Sequence, residues 1–180
     1  MLNKTTVGII ITLTIACYSC ALKPGGGSGA ASSGTNLFET FYVGDGGTQY
    51  YLKPLTFINE NKEKVFLDAT FKYKKSLDET ANVKISVISP KLIKDIEKFT
   101  ISNSSGEKEI SFNNIEFMFN ERTKNLFLSR FSMETNLSEL KRIYNNPEWI
   151  ITIDKLSPFK PKGKAKKSIE KLDHVVFSLM

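Results

Sequence analysis

The chain has 180 residues, enough for one domain with short appendages. Hydrophobic residues make up 41% and charged residues 24%, and 13 Phe, 6 Tyr and 1 Trp supply bulky core side chains, which excludes a chain disordered throughout. The formal net charge of +6 favours anionic partners over cationic ones.

The first residues have the pattern of an export signal. Lys4 is followed by an uncharged apolar run of ten residues, Val7–Ala16. A helix needs about 20 apolar residues to span a bilayer, so this run is too short for a transmembrane helix. It has the length of the apolar part of a signal peptide. We therefore predict a signal peptide over residues 1–16.

Both cysteines of the chain follow this run directly. The segment Leu13-Thr-Ile-Ala-Cys17 resembles the lipobox of bacterial lipoproteins, in which a small residue precedes the cysteine that becomes the lipidated N-terminus. The resemblance implies a bacterial envelope lipoprotein with acyl chains such as palmitate on Cys17. Ser19-Cys20 is the alternative site, and an ordinary secretory signal with incidental cysteines is the other interpretation.

The location implied by the lipobox constrains the partners. Neither cysteine is followed by Asp, which resembles lipoproteins sorted to the outer membrane, on either its periplasmic or its surface face. An exported protein meets little nucleic acid, so the basic charge points instead to anionic lipid or an acidic protein face. We therefore expect two partners, the membrane through the lipid anchor and a protein of the envelope, and no nucleic acid.

A flexible tether separates the anchor from the folded part. Residues 17–36 carry the lipidated N-terminus and a run rich in Gly, Ser and Ala, which cannot bury apolar surface. Such a linker of about thirteen residues has an r.m.s. reach near 20 Å. Residues 37–180 are predicted to form a single β-rich domain, and because it contains no cysteine, no disulfide holds it together.

Most of the domain alternates between apolar and polar residues, as strands do. The clearest strand runs from Val65 to Lys74, followed by Val83–Val87 and Ile115–Phe119. The other predicted strands are Phe38–Val43, Gln49–Phe57, Phe99–Ser102, Glu109–Phe112, Leu126–Phe131, Trp149–Ile153 and Val175–Leu179. Turn sequences separate several of them, namely Gly44–Gly47, Asn59–Lys62 and Asn103–Gly106, and the last predicts a hairpin.

Two short helices interrupt the strands. Asn136 is predicted to cap Leu137–Asn145, and Lys164–Leu172 forms the second helix. Ser89-Pro90 is predicted to open a turn or short helix through Ile96. Together these elements predict a mainly β fold, an antiparallel β-sandwich or partly open barrel with one or two short helices.

The domain offers little catalytic chemistry. Its only histidine, His174, is predicted to enter the last strand as a structural residue, and no Gly-x-Ser-x-Gly elbow is present. A zinc site needs more His or Cys ligands than the domain has. Asp68 is predicted to be a solvated side chain, and Gly44–Gly47 a turn. We therefore expect no enzyme, no metal and no cofactor other than the covalent lipid.

Two surface features are candidates for binding. Seven lysines within seventeen residues form a basic cluster that could dock anionic lipid or an acidic partner, or simply be solvated. They are Lys155, Lys160, Lys162, Lys164, Lys166, Lys167 and Lys171. Phe41-Tyr42 and Tyr50-Tyr51 flank one turn and could form a recognition patch if exposed. We favour the arrangement in which one residue of each pair faces the core.

These observations favour a membrane-anchored, non-catalytic binding or assembly module that presents loops or an edge strand to another envelope component. In organisation it looks like the small outer-membrane lipoproteins that anchor secretion machines, including type VI systems, although no motif carries that likeness. A periplasmic or surface ligand carrier or inhibitor is the alternative. A hydrolase acting on an envelope polymer is the third hypothesis.

Overall fold

The computed structural model describes residues 37–44, 47–77, 79–104, 106 and 108–180. The predicted signal peptide, both cysteines and the tether lie outside the described residues. The described residues form ten strands, two α-helices and a 3₁₀ helix. These are β1 (Phe38–Tyr42), β2 (Thr48–Ile58), β3 (Lys64–Tyr73), β4 (Thr80–Ser89), β5 (Phe99–Asn103), β6 (Glu109–Phe112), β7 (Glu116–Thr123), β8 (Leu126–Asn136), α1 (Leu137–Tyr144), β9 (Trp149–Ile153), β10 (Lys160–Pro161), α2 (Ala165–Val175) and the 3₁₀ helix (Phe177–Leu179).

Two antiparallel sheets make up the fold. The seven-stranded sheet has the order β1-β2-β3-β4-β8-β7, with β10 also paired to β2, and the three-stranded sheet has the order β6-β5-β9. Phe159, just before β10, pairs with Ile151 of β9, so this segment passes from one sheet to the other. Nine of the predicted strands are confirmed, as is the mainly β, antiparallel, sandwich-like fold with two short helices.

One face of the larger sheet holds the core. Every second residue of β3 from Val65 to Phe71 is buried, and the residues between them are half-buried. A sheet covered on one face produces this alternation. The same core cluster includes Phe99 of the small sheet, Leu140 of α1 and Ile169 of α2. The small sheet and both helices therefore cover the inner face, and the outer face carries the polar side chains.

The predicted turns are confirmed. The backbone N–H of Gly47 donates to the Gly44 carbonyl (3.0 Å), and equivalent bonds close Asn59–Lys62 and Asn103–Gly106. Gly47 has a φ of +84°, and a Cβ there would clash with the carbonyl oxygen of Tyr73. Only glycine meets both conditions without strain.

The start of α1 differs from the prediction. Asn136 is the extended last residue of β8, and its side chain makes no capping hydrogen bond. The N–H groups of Leu137 and Ser138, which have no partner within the helix, donate instead to the carbonyls of Glu79 and Leu77, at 2.8 and 3.1 Å. Because the backbone leading into β4 satisfies these donors, α1 needs no side-chain cap.

The predicted strand Val175–Leu179 is wrong, since the chain is helical there. The backbone N–H of Val176 donates to the Leu172 carbonyl at 2.9 Å, which continues the pattern of α2. Ile169, Leu172 and Val176 follow helical spacing and are buried, as is Phe177. Apolar residues at the end of the chain therefore reach the core from a helix.

Of the two alternatives for Ser89–Ile96, the turn is confirmed. The backbone N–H of Lys91 donates to the Ser89 hydroxyl at 3.2 Å, and residues 90–98, all of them described, contain no helix. Ile96 is buried and joins the main core. The segment is thus held by Ile96, by the partly buried Ile93 that packs against the same core, and by the turn at its start.

Tyr144 gives a test of the core. Its ring packs against Phe177 and Trp149, and its buried hydroxyl has no hydrogen-bond partner among the described residues. Burial, and secondarily the charge of Asp68, raise the pKa of Tyr144. Above pH 10 the unfolded chain therefore loses a proton that the folded chain keeps, and stability falls.

We expect Tyr144→Phe to change the free energy of unfolding at pH 7 by less than about 1 kcal/mol, because no hydrogen bond is lost. The variant should also lose less stability than the wild type between pH 9 and about pH 11. Urea unfolding at several pH values measures both effects, with the exposed Tyr51→Phe as control. A loss above about 2 kcal/mol at pH 7 would show that the hydroxyl has a partner.

Candidate interaction surfaces

Three of the four aromatic residues predicted to form a patch are exposed. The exposed fractions are 48% for Phe41, 67% for Tyr42 and 42% for Tyr51, and Phe41 meets Tyr51 edge to face at 5.5 Å. Tyr50 turns inward and stacks on Phe71 at 5.0 Å. The prediction that one residue of each pair faces the core is therefore right for Tyr50-Tyr51. It is wrong for Phe41-Tyr42, because β1 lies at the edge of the sheet, where neither side chain is covered.

All seven lysines of the predicted cluster are exposed. Lys155 follows β9, Lys160 lies in β10, Lys162 and Lys164 precede α2, and Lys166, Lys167 and Lys171 lie on α2. Lys166 is paired with Glu148 at 2.7 Å. The hydrogen bond from Lys166 lowers the pKa of Glu148, and the same bond raises the pKa of Lys166. The other six lysines make no ion pair within the described part of the chain.

The structure brings β1, with Phe41 and Tyr42, and one lysine of the cluster, Lys160 of β10, to the same edge of the seven-stranded sheet. β1 pairs with residues 48–52 of β2, and β10 pairs with Phe57 and Ile58 of the same strand. Because β3 occupies the other side of β2, β1 and β10 lie on the same side of it, either side of the bulge between Leu52 and Leu55. We call this the aromatic–lysine edge.

The opposite edge is β7, and its exposure was not predicted. Within the described residues β7 pairs only with β8, and all eight of its side chains are exposed. Phe117, Met118 and Phe119 have exposed fractions of 41%, 45% and 45%. The strand register shifts between Phe117 and Phe119. As a result Phe117 lies against Phe131 of the core, and Phe119 lies opposite Arg130 on the outer face.

The β7 edge exposes both unpaired backbone groups and large apolar side chains. An edge strand carries backbone N–H and C=O groups that a further strand can pair with. Large apolar side chains lie beside those groups. β7 contains no lysine or proline, and its protection against a further strand is limited to three charged side chains, Glu116, Glu121 and Arg122, and the bulge at Met118. In sequence the only signal was the apolar run Phe117–Phe119 among polar residues.

Asp68 is not the solvated side chain that its position suggested. The Arg130 guanidinium donates to both Asp68 carboxylate oxygens at 3.1 and 2.9 Å and to the Ser86 hydroxyl at 2.6 Å. The Asp68 and Arg130 side chains are 14% and 23% exposed. This network joins β3, β4 and β8 across the outer face and has a structural role.

Among the described residues, His174 is the remaining candidate for chemistry. His174 lies in the last turn of α2, exposed, and its carbonyl accepts from the Ser178 hydroxyl. Within residues 37–180, as far as they are described, no three His, Cys, Asp or Glu side chains come together as a metal site. No helix in the same described residues has the length and apolar character needed to cross a membrane.

Comparison with known proteins gives no relative for this chain: no protein-family model, no curated protein and no solved structure matches it.

Proposed function

We propose that the chain is a lipid-anchored lipoprotein of the bacterial envelope that acts as a non-catalytic binding or assembly module. The observation that supports it best is the β7 edge, an eight-residue strand with every side chain exposed and three consecutive large apolar residues. A protein partner that adds a strand to this edge would satisfy its backbone groups and cover Phe117, Met118 and Phe119.

The position of the tether suggests which edge faces the membrane. The predicted tether leads into Leu37, whose carbonyl accepts from the Lys53 backbone N–H at 2.7 Å beside β1. The aromatic–lysine edge is thus nearest the predicted anchor, and lysines near an anionic membrane each contribute about 1 kcal/mol. β7 lies five strand spacings from β1, about 24 Å away, and is free to meet a partner.

This arrangement suits a component of an envelope-spanning assembly, including one of the type VI kind. A partner held at the same membrane meets the domain at high local concentration, so one short strand is enough for stable association. Outer-membrane sorting, as implied by the residues after the lipobox, is part of the same proposal.

Met118→Lys tests the proposal. The residue is 45% exposed, so the fold should tolerate lysine, while the new charge opposes pairing of a further strand. We expect partner association to fall by about tenfold or more. The full-length lipoprotein is extracted from its own membranes in mild detergent, and the co-purifying proteins are quantified by mass spectrometry for the wild type and the variant.

Leu92→Lys is the matched control, because Leu92 is 39% exposed and lies outside both sheets. A protein lost with Met118→Lys and kept with Leu92→Lys is the partner expected here. Equal recovery of every co-purifying protein with both variants, or a monomer without partner in the wild type, would contradict a role for the β7 edge.

A further inference from the structure

A cleft of about 590 Å³ opens on the outer face of the seven-stranded sheet, at the end formed by the β2–β3 turn. Three lysines from two segments line it, Lys62 and Lys64 at the turn and Lys162 after β10. Only Lys162 belongs to the cluster predicted from sequence. Both segments pair with β2, which brings Lys64 and Lys162 close together. Lys64 is opposite Ile58, and the Lys162 backbone N–H donates to the Thr56 carbonyl at 3.0 Å.

The floor of this lysine cleft is apolar. Ile58 and Ile88 flank Lys64 on the neighbouring strands, and each is half-buried on the outer face. Pro90 and Leu126 complete the apolar lining, and Leu126 is 42% exposed. A cleft of this volume lies within the usual range for small-molecule sites.

The three lysines outnumber the one acid in the lining of the cleft and form no ion pair with it. The one carboxylate in its lining is Glu63, which is 8% exposed. One of its oxygens accepts from the Ser89 hydroxyl at 2.6 Å and the other from the Asn59 amide at 2.7 Å. Lys62, Lys64 and Lys162 form no ion pair with any described residue. The cleft therefore presents positive charge above an apolar floor.

We propose that the lysine cleft binds an anionic amphiphile, with its phosphate or carboxylate head between the lysines and its alkyl chain on Ile58, Ile88 and Leu126. The cleft reaches Leu126 at the start of β8, which pairs with Thr123 of β7, but no lining residue belongs to β7 and the inference does not rest on the β7 edge. A lipid of the bilayer and a free amphiphile share this chemistry, and the experiment separates them.

The test uses the full chain in dodecyl maltoside with Ile and Leu methyl groups labelled for NMR. Dodecyl phosphate is the probe, inorganic phosphate tests the head group alone, and the detergent itself supplies an uncharged twelve-carbon chain in excess. We expect dodecyl phosphate to shift the methyl signals of Ile58, Ile88 and Leu126 saturably. We expect Lys64→Gln and Lys162→Gln each to weaken its binding about fivefold.

Lys171→Gln is the matched control, because Lys171 is exposed on α2 and does not line the cleft. If Lys171→Gln weakened dodecyl phosphate binding as much as Lys64→Gln and Lys162→Gln, the lysines would act only through the general positive charge of the protein. That result would overturn the proposal. An absence of methyl shifts, or phosphate binding as tight as that of dodecyl phosphate, would also overturn it.

Nanodiscs separate the two sources of the ligand. The full chain is placed in phosphatidylcholine discs with and without phosphatidylglycerol, and the same methyl signals are followed. Shifts that appear with phosphatidylglycerol support a bilayer lipid as the occupant. Shifts that appear only when dodecyl phosphate is added support a free amphiphile in the same cleft.

Discussion

Loss of the acyl anchor is expected to release the chain from the membrane and to weaken partner association by about a hundredfold, because anchoring supplies local concentration. The test replaces residues 1–16 by a conventionally cleaved secretory signal and introduces Cys17→Ala and Cys20→Ala. The fold should not change, because Leu37 is the first described residue that packs against the core, well after the substituted positions. Membrane fractionation, circular dichroism and recovery of the co-purifying partner measure the three outcomes.

Single substitutions behind the native signal provide the control. Cys20→Ala should stay membrane-bound with its lipid on Cys17, and mass spectrometry of the mature N-terminus identifies the acylated residue. If Cys20→Ala were released from the membrane and Cys17→Ala stayed bound, the lipid would be assigned to Cys20. The functional proposal would be unchanged. A soluble double variant that associates with its partner as well as the wild type would contradict the view that anchoring is part of the function.

Phe177→Ala is expected to lower the free energy of unfolding by about 4 kcal/mol, the range seen when a buried Phe is truncated. Phe177 is fully buried, and its ring centroid lies 4.6 Å from that of Tyr144 and 5.8 Å from that of Phe71. Truncation leaves a cavity between α1 and the large sheet. Urea unfolding followed by Trp149 fluorescence measures the change.

Leu179→Ala is the matched control, since Leu179 lies two residues further along the same 3₁₀ helix and is 78% exposed. Its effect should stay within about 0.5 kcal/mol. If Phe177→Ala cost less than about 1 kcal/mol, the end of the chain would not be packed into the core as the structure describes.

Local patterns predicted the elements whose two faces differ in environment. β3 was the clearest, because one face packs into the core and the other carries polar groups, so its sequence alternates along the whole strand. The last apolar run was assigned to a strand because three or four residues fit either period. Only the buried positions of Leu172, Val176 and Phe177 on one helical face decide between them.

The functional surfaces depend on pairings that local sequence does not contain. Arg130 meets Asp68 across 62 positions of sequence, through an intervening strand. The exposure of β7 follows from its place at the end of the sheet order, and the lysine cleft joins Lys64 to Lys162 through β10. The lysine cluster and the aromatic residues were found from sequence, but the common edge of Lys160 and the β1 aromatics follows from how β1 and β10 share β2.

Photo-crosslinking in living cells tests the central proposal most directly. A photoreactive amino acid is placed in the full-length lipoprotein at Met118 or Asn120 of β7, and at Leu92 as control. We expect both β7 positions to crosslink to one and the same envelope protein and Leu92 not to crosslink to it. The absence of a crosslink from either β7 position, or crosslinks to the same protein from Leu92 as from β7, would contradict the proposal.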